Sequence, residues 1–345
     1  MSTMTASWRR SMLGALAIVP LMTFGASAAQ AYAYTTCSGV PVKWQRGWTN
    51  LSINTVSLPP GSVWDIRFQN AMARWNNVKG SGFNFYFLRD TDGTYSNTNG
   101  VTEIYFARNL GTALAVTFFR WQCSSRNIIE TDIGFNLNYS WTTSPLSYDS
   151  LGSPYSFESV ALHELGHSLG LNHEDRWLAT LNSFYPNSGP VGYGKEWDPL
   201  ADDRAGARFL YPDGTTEVDL AASDFKRTGA GTSGLTSSSL AAVRGATAVM
   251  EQTFHNFSTS RRTFNIGFYL STNDIISTGD RLLGTNTGAW ADPGVSVTFS
   301  RTLAIPGNVS PGRYWLGFIL DRDAQHAEDR EGNNALAMPR PITIN

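Results

Sequence analysis

The segment Val160–His173 reads VALHELGHSLGLNH and contains three of the five histidines in the 345-residue sequence. His163 and His167 are four positions apart, so on a helix both imidazoles leave the same face about one turn apart. Gly170 permits a left-handed turn that a residue with a Cβ resists. The chain can therefore reverse after the helix and bring His173 to the same point as the other two imidazoles.

Three neutral imidazoles at one point suit Zn²⁺, which in catalytic sites typically has three protein ligands and one open position. Glu164 follows the first histidine on the same side of the helix, where its carboxylate can take a proton from water and pass it to a leaving amine. Zinc lowers the pKa of water from about 15.7 to roughly 7. The alternative is a helix with three ordinary histidines, but the extended spacing H-E-x-x-H-x-x-G-x-x-H fixes five positions and is much rarer than H-E-x-x-H.

This spacing resembles the zinc-binding motif of the metzincin metalloproteases. Three flanking segments are similar to the matrixin branch, the matrix-metalloprotease type: FQNAMARW at 68–75, DIGFNLN at 132–138 and ADDRAGARFLYP at 201–212. The resemblance covers about residues 42–212. It implies a zinc endopeptidase in which one catalytic Zn²⁺ is held by His163, His167 and His173. Glu164 then acts as general base and acid toward a zinc-activated water, and the substrate is a protein or peptide.

The resemblance also implies a substrate cleft. The segment 111–116, with Leu114 and Ala115, matches the edge strand that pairs with an extended peptide by β-augmentation, and an ordinary core strand is the alternative. Tyr185 and Pro186 resemble the wall of the pocket for the residue after the scissile bond. Phe184 occupies the position where metzincins carry a methionine, and it can still form a hydrophobic floor under the metal. Glu174, directly after the third histidine, is more similar to the astacin branch.

The N-terminus predicts export. Arg9 and Arg10 precede an apolar run, and Ala29-Gln30-Ala31 provides an A-x-A cleavage site, so residues 1–31 are expected to be a signal peptide. A membrane anchor is the alternative, but the run is shorter than the roughly 20 residues that a span needs. The net charge of −2 gives no reason to expect nucleic acid or an anionic membrane as a partner. We therefore expect a secreted protein without a membrane partner after signal cleavage.

Two cysteines remain in the exported chain, Cys37 and Cys123. An even pair in an exported protein predicts a disulfide. The alternative is that CSGVP at 37–41, which faintly resembles the cysteine-switch motif of matrixins, places a thiolate on the zinc. That motif is imperfect here, and little chain precedes it, so the disulfide is the favoured interpretation.

The pattern of the first part predicts an α+β domain over residues 32–213. Ser62 can cap a helix with apolar residues at helical spacing, which Gly80 ends. Alternating apolar residues predict strands around 51–56, 83–87, 104–106 and 133–137, and a last helix is expected from about Pro199 to Leu210. The expected fold class is thus α+β, a metzincin-type zinc protease domain with a mixed sheet, an active-site helix and a C-terminal helix.

The second part, 218–345, shows short alternating runs with turns between them, which predict an all-β, immunoglobulin-like sandwich. The segment 228–239, rich in Gly, Ser and Thr, is expected to be a mobile loop. Its G-x-G-x-x-G match lacks the strand and βαβ unit that a nucleotide site needs. Three segments, 268–272, 311–314 and 328–334, look like the CARDB-type domain of exported bacterial proteins, which implies binding of a surface or a protein ligand. Five acidic residues could hold Ca²⁺, although a solvated turn is the alternative: Asp321, Asp323, Glu328, Asp329 and Glu331.

The sequence as a whole thus predicts a secreted zinc-dependent endopeptidase. Two rival interpretations remain open. The first is a catalytically impaired surface-binding protein, in which Phe184 disturbs the metal site and the β-sandwich carries the function. The second is an astacin-like metalloprotease, which changes the family but not the chemistry.

Overall fold

The computed structural model describes residues 32–90, 94–144, 153–185, 198–228, 231–237 and 241–345. The predicted signal peptide, residues 1–31, lies outside these ranges, and so does Pro186. None of the helices among the described residues is both long and apolar enough to cross a membrane.

The described residues of the first part contain three helices, α1 (Val63–Asn76), α2 (Phe157–Leu169) and α3 (Ala201–Leu210). Its strands, in chain order, are β1 (Ala33–Tyr34), β2 (Thr36–Cys37), β3 (Val40–Pro41), β4 (Trp48–Asn54), β5 (Asn84–Asp90), β6 (Thr102–Ala107), β7 (Ala115–Gln122), β8 (Asn127–Asn136), β9 (Trp141–Thr142), β10 (Tyr155–Ser156) and β11 (Leu171–Asn172).

Five of these strands form one mixed sheet in the order β5-β4-β6-β8-β7. Neighbouring strands are parallel except at the edge, where β7 runs antiparallel to β8. Helices α1 and α2 pack against this sheet, and the indole Nε1 of Trp75 on α1 donates to the carbonyl oxygen of Leu162 on α2 at 2.9 Å. The predicted α+β class is confirmed.

The bounds of several elements differ from the predicted ones. The edge strand begins at Ala115, after Leu114, because the side-chain amide of Asn136 donates to the carbonyls of Gly111 and Ala113 and holds that segment as a turn. Helix α1 is capped by Ser62 as predicted, but it ends at Asn76 instead of near Gly80. The Asn76 side chain there bonds both backbone groups of Phe85 and ties the helix end to β5.

The segment before β4 is attached to the rest of the first part at two places. Strand β1 pairs antiparallel with β11, the two residues that follow the α2 exit turn. Cys37 and Cys123 form a disulfide, which joins this segment to the end of β7. The indole Nε1 of Trp121 also donates to Sγ of Cys37 at 3.1 Å. Since both sulfurs are bonded to each other, neither is a thiolate facing the histidines.

The helices and strands that the structure describes in the second part are all strands: β12 (Leu220–Ser223), β13 (Phe225–Thr228), β14 (Gly231–Gly234), β15 (Ala241–Ala242), β16 (Thr247–Asn256), β17 (Arg262–Ser271), β18 (Arg281–Ala291), β19 (Ser296–Ala304), β20 (Gly312–Ile319), β21 (Ala335–Ala337) and β22 (Ile342–Ile344). One sheet has the order β12-β16-β19 and the other β15-β22-β20-β17-β18, with β21 beside β20. Side chains such as Phe254, Phe264 and Leu316 fill the core between them. The β-sandwich is as predicted, whereas the limits of the two domains at 213 and 218 stay a prediction.

The expectation of a loop over 228–239 is wrong for part of that segment. Strand β14 pairs antiparallel with β13 in a hairpin, with Thr232 opposite Arg227. The hairpin packs against the first part of the chain, and Phe225 at its start is buried in a cluster with Leu178 and Leu200. Tertiary packing therefore gives strand structure to a segment whose composition is typical of a loop.

The two parts share a buried interface. An apolar cluster contains Leu178, Leu200 and Ala201 from the first part, and Ala221, Phe225 and Phe257 from the second. Charged pairs border it. Arg204 and Arg208 on α3 both bind the Glu217 carboxylate, and Arg330 binds Asp198 as well as Asp219. The β-sandwich therefore packs directly against helix α3.

Candidate active site

Helix α2 carries the first two histidines and has well-defined ends. The Ser156 hydroxyl accepts the backbone N–H of Ser159 and caps the N-terminus, which the sequence analysis did not predict. Gly170 ends the helix in a left-handed conformation with φ of 116°, as predicted. A Cβ at that position would lie 3.3 Å from the carbonyl oxygen of Val42, so the close approach of this chain also favours glycine.

The exit turn brings the third histidine back to the helix. After Gly170 the chain runs as β11, whose pairing with β1 fixes its direction. The Nε2 atoms of His163 and His167 are then 3.1 Å apart, those of His167 and His173 are 3.1 Å apart, and those of His163 and His173 are 3.3 Å apart. The structure thus brings together the three imidazoles that the sequence singled out.

Backbone carbonyls set the tautomers of two rings. Nδ1 of His163 lies 2.8 Å from the carbonyl oxygen of Thr180, and Nδ1 of His167 lies 2.9 Å from that of Leu171. A carbonyl oxygen only accepts, so each Nδ1 carries the proton and each Nε2 is an acceptor. Burial lowers the pKa of His163 well below its usual value and lowers that of His167 to about 4, so both rings are neutral near pH 7.

This arrangement fits a zinc ion. Nitrogens about 2.0–2.1 Å from a tetrahedral ion lie roughly 3.3 Å from one another, close to the observed separations. The Nε2 atoms of His163 and His167 carry no proton, so at this distance their lone pairs repel each other. A cation between them removes that repulsion. Among the described residues, the three histidines are the group of His, Cys, Asp or Glu side chains that could hold a metal ion.

Glu164 lies beside the histidines. Its side chain is buried, and it lines the same cleft as all three imidazoles. Oε2 of its carboxylate is 2.6 Å from the hydroxyl of Thr117 on β7. Burial raises the pKa of Glu164 to about 7, and the hydrogen bond from Thr117 opposes that rise.

The cleft has a volume of about 770 Å³ and runs along the edge strand β7. That volume is within the range of about 300–1,000 Å³ that is typical of ligand sites. Its lining includes Thr35, Trp121 and Asn172, together with Tyr155 and Tyr185. The predicted substrate residues Leu114, Ala115 and Tyr185 all line it, whereas Pro186 lies outside the described residues.

Phe184 does not form the expected hydrophobic floor under the metal site. Phe184 lines the cleft, and 53% of it is exposed. The segment Thr180–Leu181 passes beneath α2 instead: Thr180 accepts from His163, and Leu181 is so close that a Cβ on Gly166 would lie 2.5 Å from it. Phe184, which stands where the family has a methionine, therefore does not lie under the histidines.

Two residues important for the site were missed by the sequence analysis. Thr117 contacts Glu164 from 47 positions away, and no local pattern marks it. Asp203 on α3 accepts the backbone N–H groups of Thr180 at 2.6 Å and Leu181 at 3.1 Å, which fixes the segment that orients His163. Asp203 belongs to one of the flanking segments that carry the family resemblance, and this was the only available signal for it.

The five acidic residues that could hold Ca²⁺ accept hydrogen bonds from, or form ion pairs with, other groups of the protein. Asp321 accepts the backbone N–H groups of Gln325 and His326, and Asp323 accepts from Asn265. Glu328 accepts from Leu220 and Asn334, Asp329 pairs with Lys79, and Glu331 accepts from Glu328. These contacts are those of a structured turn.

Comparison with known proteins agrees with the geometry of the site. Residues 51–212 match the family model described as Matrixin, Peptidase_M10. Matrix metalloproteinase-2 of Drosophila melanogaster is 30% identical over 185 residues, which is 51% of this chain and 21% of that protein. Matrix metalloproteinase-25 of Homo sapiens is 35% identical over 102 residues, 30% of this chain and 16% of that protein. The chain therefore spans about a fifth or less of the length of these relatives.

A search of solved structures finds the CARDB domain of the PF1109 protein from Pyrococcus furiosus, in complex with di-metal ions. It is 12% identical with a TM-score of 0.27, and the match covers 37% of this chain and 90% of that domain. An alkylpurine DNA glycosylase of Pseudomonas fluorescens is found at 11% identity and a TM-score of 0.24, over 41% of this chain and 33% of that one.

Proposed function

Residues 51–212 belong to the matrixin family, and from this premise we propose that the chain is a secreted zinc endopeptidase. His163, His167 and His173 hold the metal, and Glu164 is the general base and then the general acid. The observation that carries the proposal is the cluster of three Nε2 atoms, 3.1–3.3 Å apart, with the Glu164 carboxylate in the same cleft.

Zinc, when bound, polarises the substrate carbonyl and lowers the pKa of water in the site. Glu164 accepts a proton from the attacking water and delivers it to the leaving amine. Because water is the nucleophile, no side chain of the protein forms a covalent bond with the substrate. The backbone contacts of His163 and His167 hold the two rings in the tautomer that presents Nε2 to the metal.

An extended protein or peptide is the proposed substrate. Among the described strands, β7 pairs with β8 alone, so its outer edge is available to an extended chain. A peptide that pairs there by β-augmentation lies along the cleft with its backbone near the histidines. Side chains of the bound peptide then face residues that line the cleft, such as Trp121 and Tyr185.

Export is part of the proposal. The disulfide between Cys37 and Cys123 supports it, because such bonds persist mainly in oxidising compartments. N-terminal sequencing of protein from the culture medium is expected to give a chain that begins at Tyr32. A chain that keeps Met1 and stays inside the cell contradicts this part of the proposal.

The activity is tested with Glu164→Gln. This variant is expected to bind zinc as the wild type does and to lose about 100- to 10,000-fold of its casein hydrolysis, the usual contribution of a positioned general base. Glu158→Gln is the matched control: the same substitution on the same helix, where the carboxylate pairs with Arg67 at 3.0 Å and does not line the cleft. Near-normal hydrolysis by Glu164→Gln rules the mechanism out.

A further inference from the structure

Thr117 joins the edge strand to the buried glutamate. Ala115, Thr117 and Phe119 line the cleft, and they alternate along β7 with Val116 and Phe118, which pack against a separate apolar cluster. The Thr117 hydroxyl oxygen lies 2.6 Å from Oε2 of Glu164 and 3.1 Å from the backbone carbonyl oxygen of the same residue. Both possible acceptors belong to Glu164, so the hydroxyl donates to that residue whichever of them it uses.

The donor is more rigid than the group it binds. Thr117 pairs with Ile133 in the register of β7 and β8, which fixes its backbone. Threonine is branched at Cβ, which restricts its χ1 angle. Glutamate has three side-chain torsions and loses more rotamer freedom when it is ordered. A distance of 2.6 Å is that of a charge-assisted bond from a hydroxyl to a carboxylate, the stronger class of hydrogen bond.

We propose that Thr117 is a positioning residue for the general base, an inference that rests on the proposed function. Its hydroxyl fixes Oε2 and so sets the plane of the Glu164 carboxylate. Oε1 can then accept the proton of the attacking water at a constant distance and direction. Without the hydroxyl, the carboxylate samples other rotamers, and fewer bound substrates meet it in reactive geometry.

The test compares three variants at position 117. Thr117→Val keeps the shape and removes the hydroxyl, and it is expected to lower kcat on a quenched-fluorescent peptide by about 10- to 100-fold. KM is expected to stay within about threefold, because Thr117 acts on the proton transfer and not on substrate binding. Thr117→Ser restores the hydroxyl and is expected to recover most of the kcat. Thr117→Ala, smaller and also without a hydroxyl, gives the same information if valine does not fit.

Thr131→Val is the matched control. The Thr131 hydroxyl lies 2.6 Å from the hydroxyl of Ser168, so it also joins the sheet to α2, but it does not touch Glu164. This variant is expected to keep the wild-type kcat. Equal zinc content in all variants shows that the metal site is intact.

Two outcomes overturn the inference while the proposed function survives: wild-type kcat in the two hydroxyl-free variants, or a Thr117→Ser variant as impaired as Thr117→Val. A wild-type protein that binds zinc and cleaves no peptide or protein substrate overturns the proposed function, and the role of Thr117 with it.

Discussion

Asp203 on helix α3 accepts a hydrogen bond of 2.6 Å from the backbone N–H of Thr180, the residue whose carbonyl oxygen binds His163. The same carboxylate also accepts from Leu181 and Leu200. One buried side chain thus holds the loop that orients a proposed metal ligand. This contact connects the third helix, which is distant from the cleft, to the histidines.

We expect Asp203→Asn to destabilise the protein by about 1–3 kcal/mol, since an amide offers only one acceptor oxygen to three buried N–H groups. Zinc should also be lost faster to a chelator. The adjacent Asp202→Asn is the control: burial raises the pKa of Asp202 well above its usual value, and this residue accepts none of the three N–H groups that bind Asp203. Urea unfolding and the rate of zinc loss measure both effects. Equal behaviour of the two variants contradicts the role of Asp203.

The hairpin β13–β14 is expected to support the loop after His173. Nε of Arg227 donates to the carbonyl oxygen of Asp175 at 2.7 Å, and Thr232 donates to Asn182. Arg227→Met removes the first contact and should speed zinc loss to a chelator about three- to tenfold, equivalent to about 1 kcal/mol. Arg281→Met, at an exposed guanidinium that bonds Asn308 of the same β-sandwich, serves as the control. Unchanged zinc loss in Arg227→Met shows that the sandwich does not stabilise the site through this contact.

His255 is expected to make the protein sensitive to acid. It lies on β16 opposite Ala221, which belongs to the interface cluster, and its two ring nitrogens have no hydrogen-bond partner among the described residues. Burial lowers its pKa to about 3, whereas an unfolded histidine titrates near 6.5. Between these values the unfolded state binds a proton that the native state does not. The stabilisation by neutral His255 is therefore complete above pH 6.5 and is lost as the pH falls toward 3.

This contribution has a slope of up to about 1.4 kcal/mol per pH unit. We expect His255→Phe to flatten the dependence of the unfolding free energy on pH between 6 and 4 by that amount. His326→Phe replaces a histidine whose Nε2 bonds the carbonyl oxygen of Thr263, and it serves as the control. Parallel curves for wild type and His255→Phe contradict the prediction.

Local patterns predicted the part of the site that lies on one helix. The spacing of His163 and His167, and the glycine at 170, depend on helix periodicity and on backbone sterics, which are local properties. Ser62 was recognised as a cap for the same reason. The position of His173 was predictable because the turn before it is short and requires a residue in the left-handed conformation.

The contacts that orient those residues were not predictable in this way. Thr117 and Asp203 reach the site through the sheet and through α3, so only the tertiary fold brings them there. The hairpin at 225–234 forms because Phe225 packs in the interface cluster, although its composition favours a loop. Strand β18 has no clear alternating pattern, because glycines and an asparagine interrupt it and most of its side chains are at least partly exposed.

The most direct test of the central claim is the metal content of the purified protein, measured together with its casein hydrolysis before and after chelation. The account predicts one zinc per chain, hydrolysis that stops when the zinc is removed, and recovery when zinc is added back. Hydrolysis that survives complete removal of zinc, or a folded chain that binds no zinc and cleaves nothing, contradicts it.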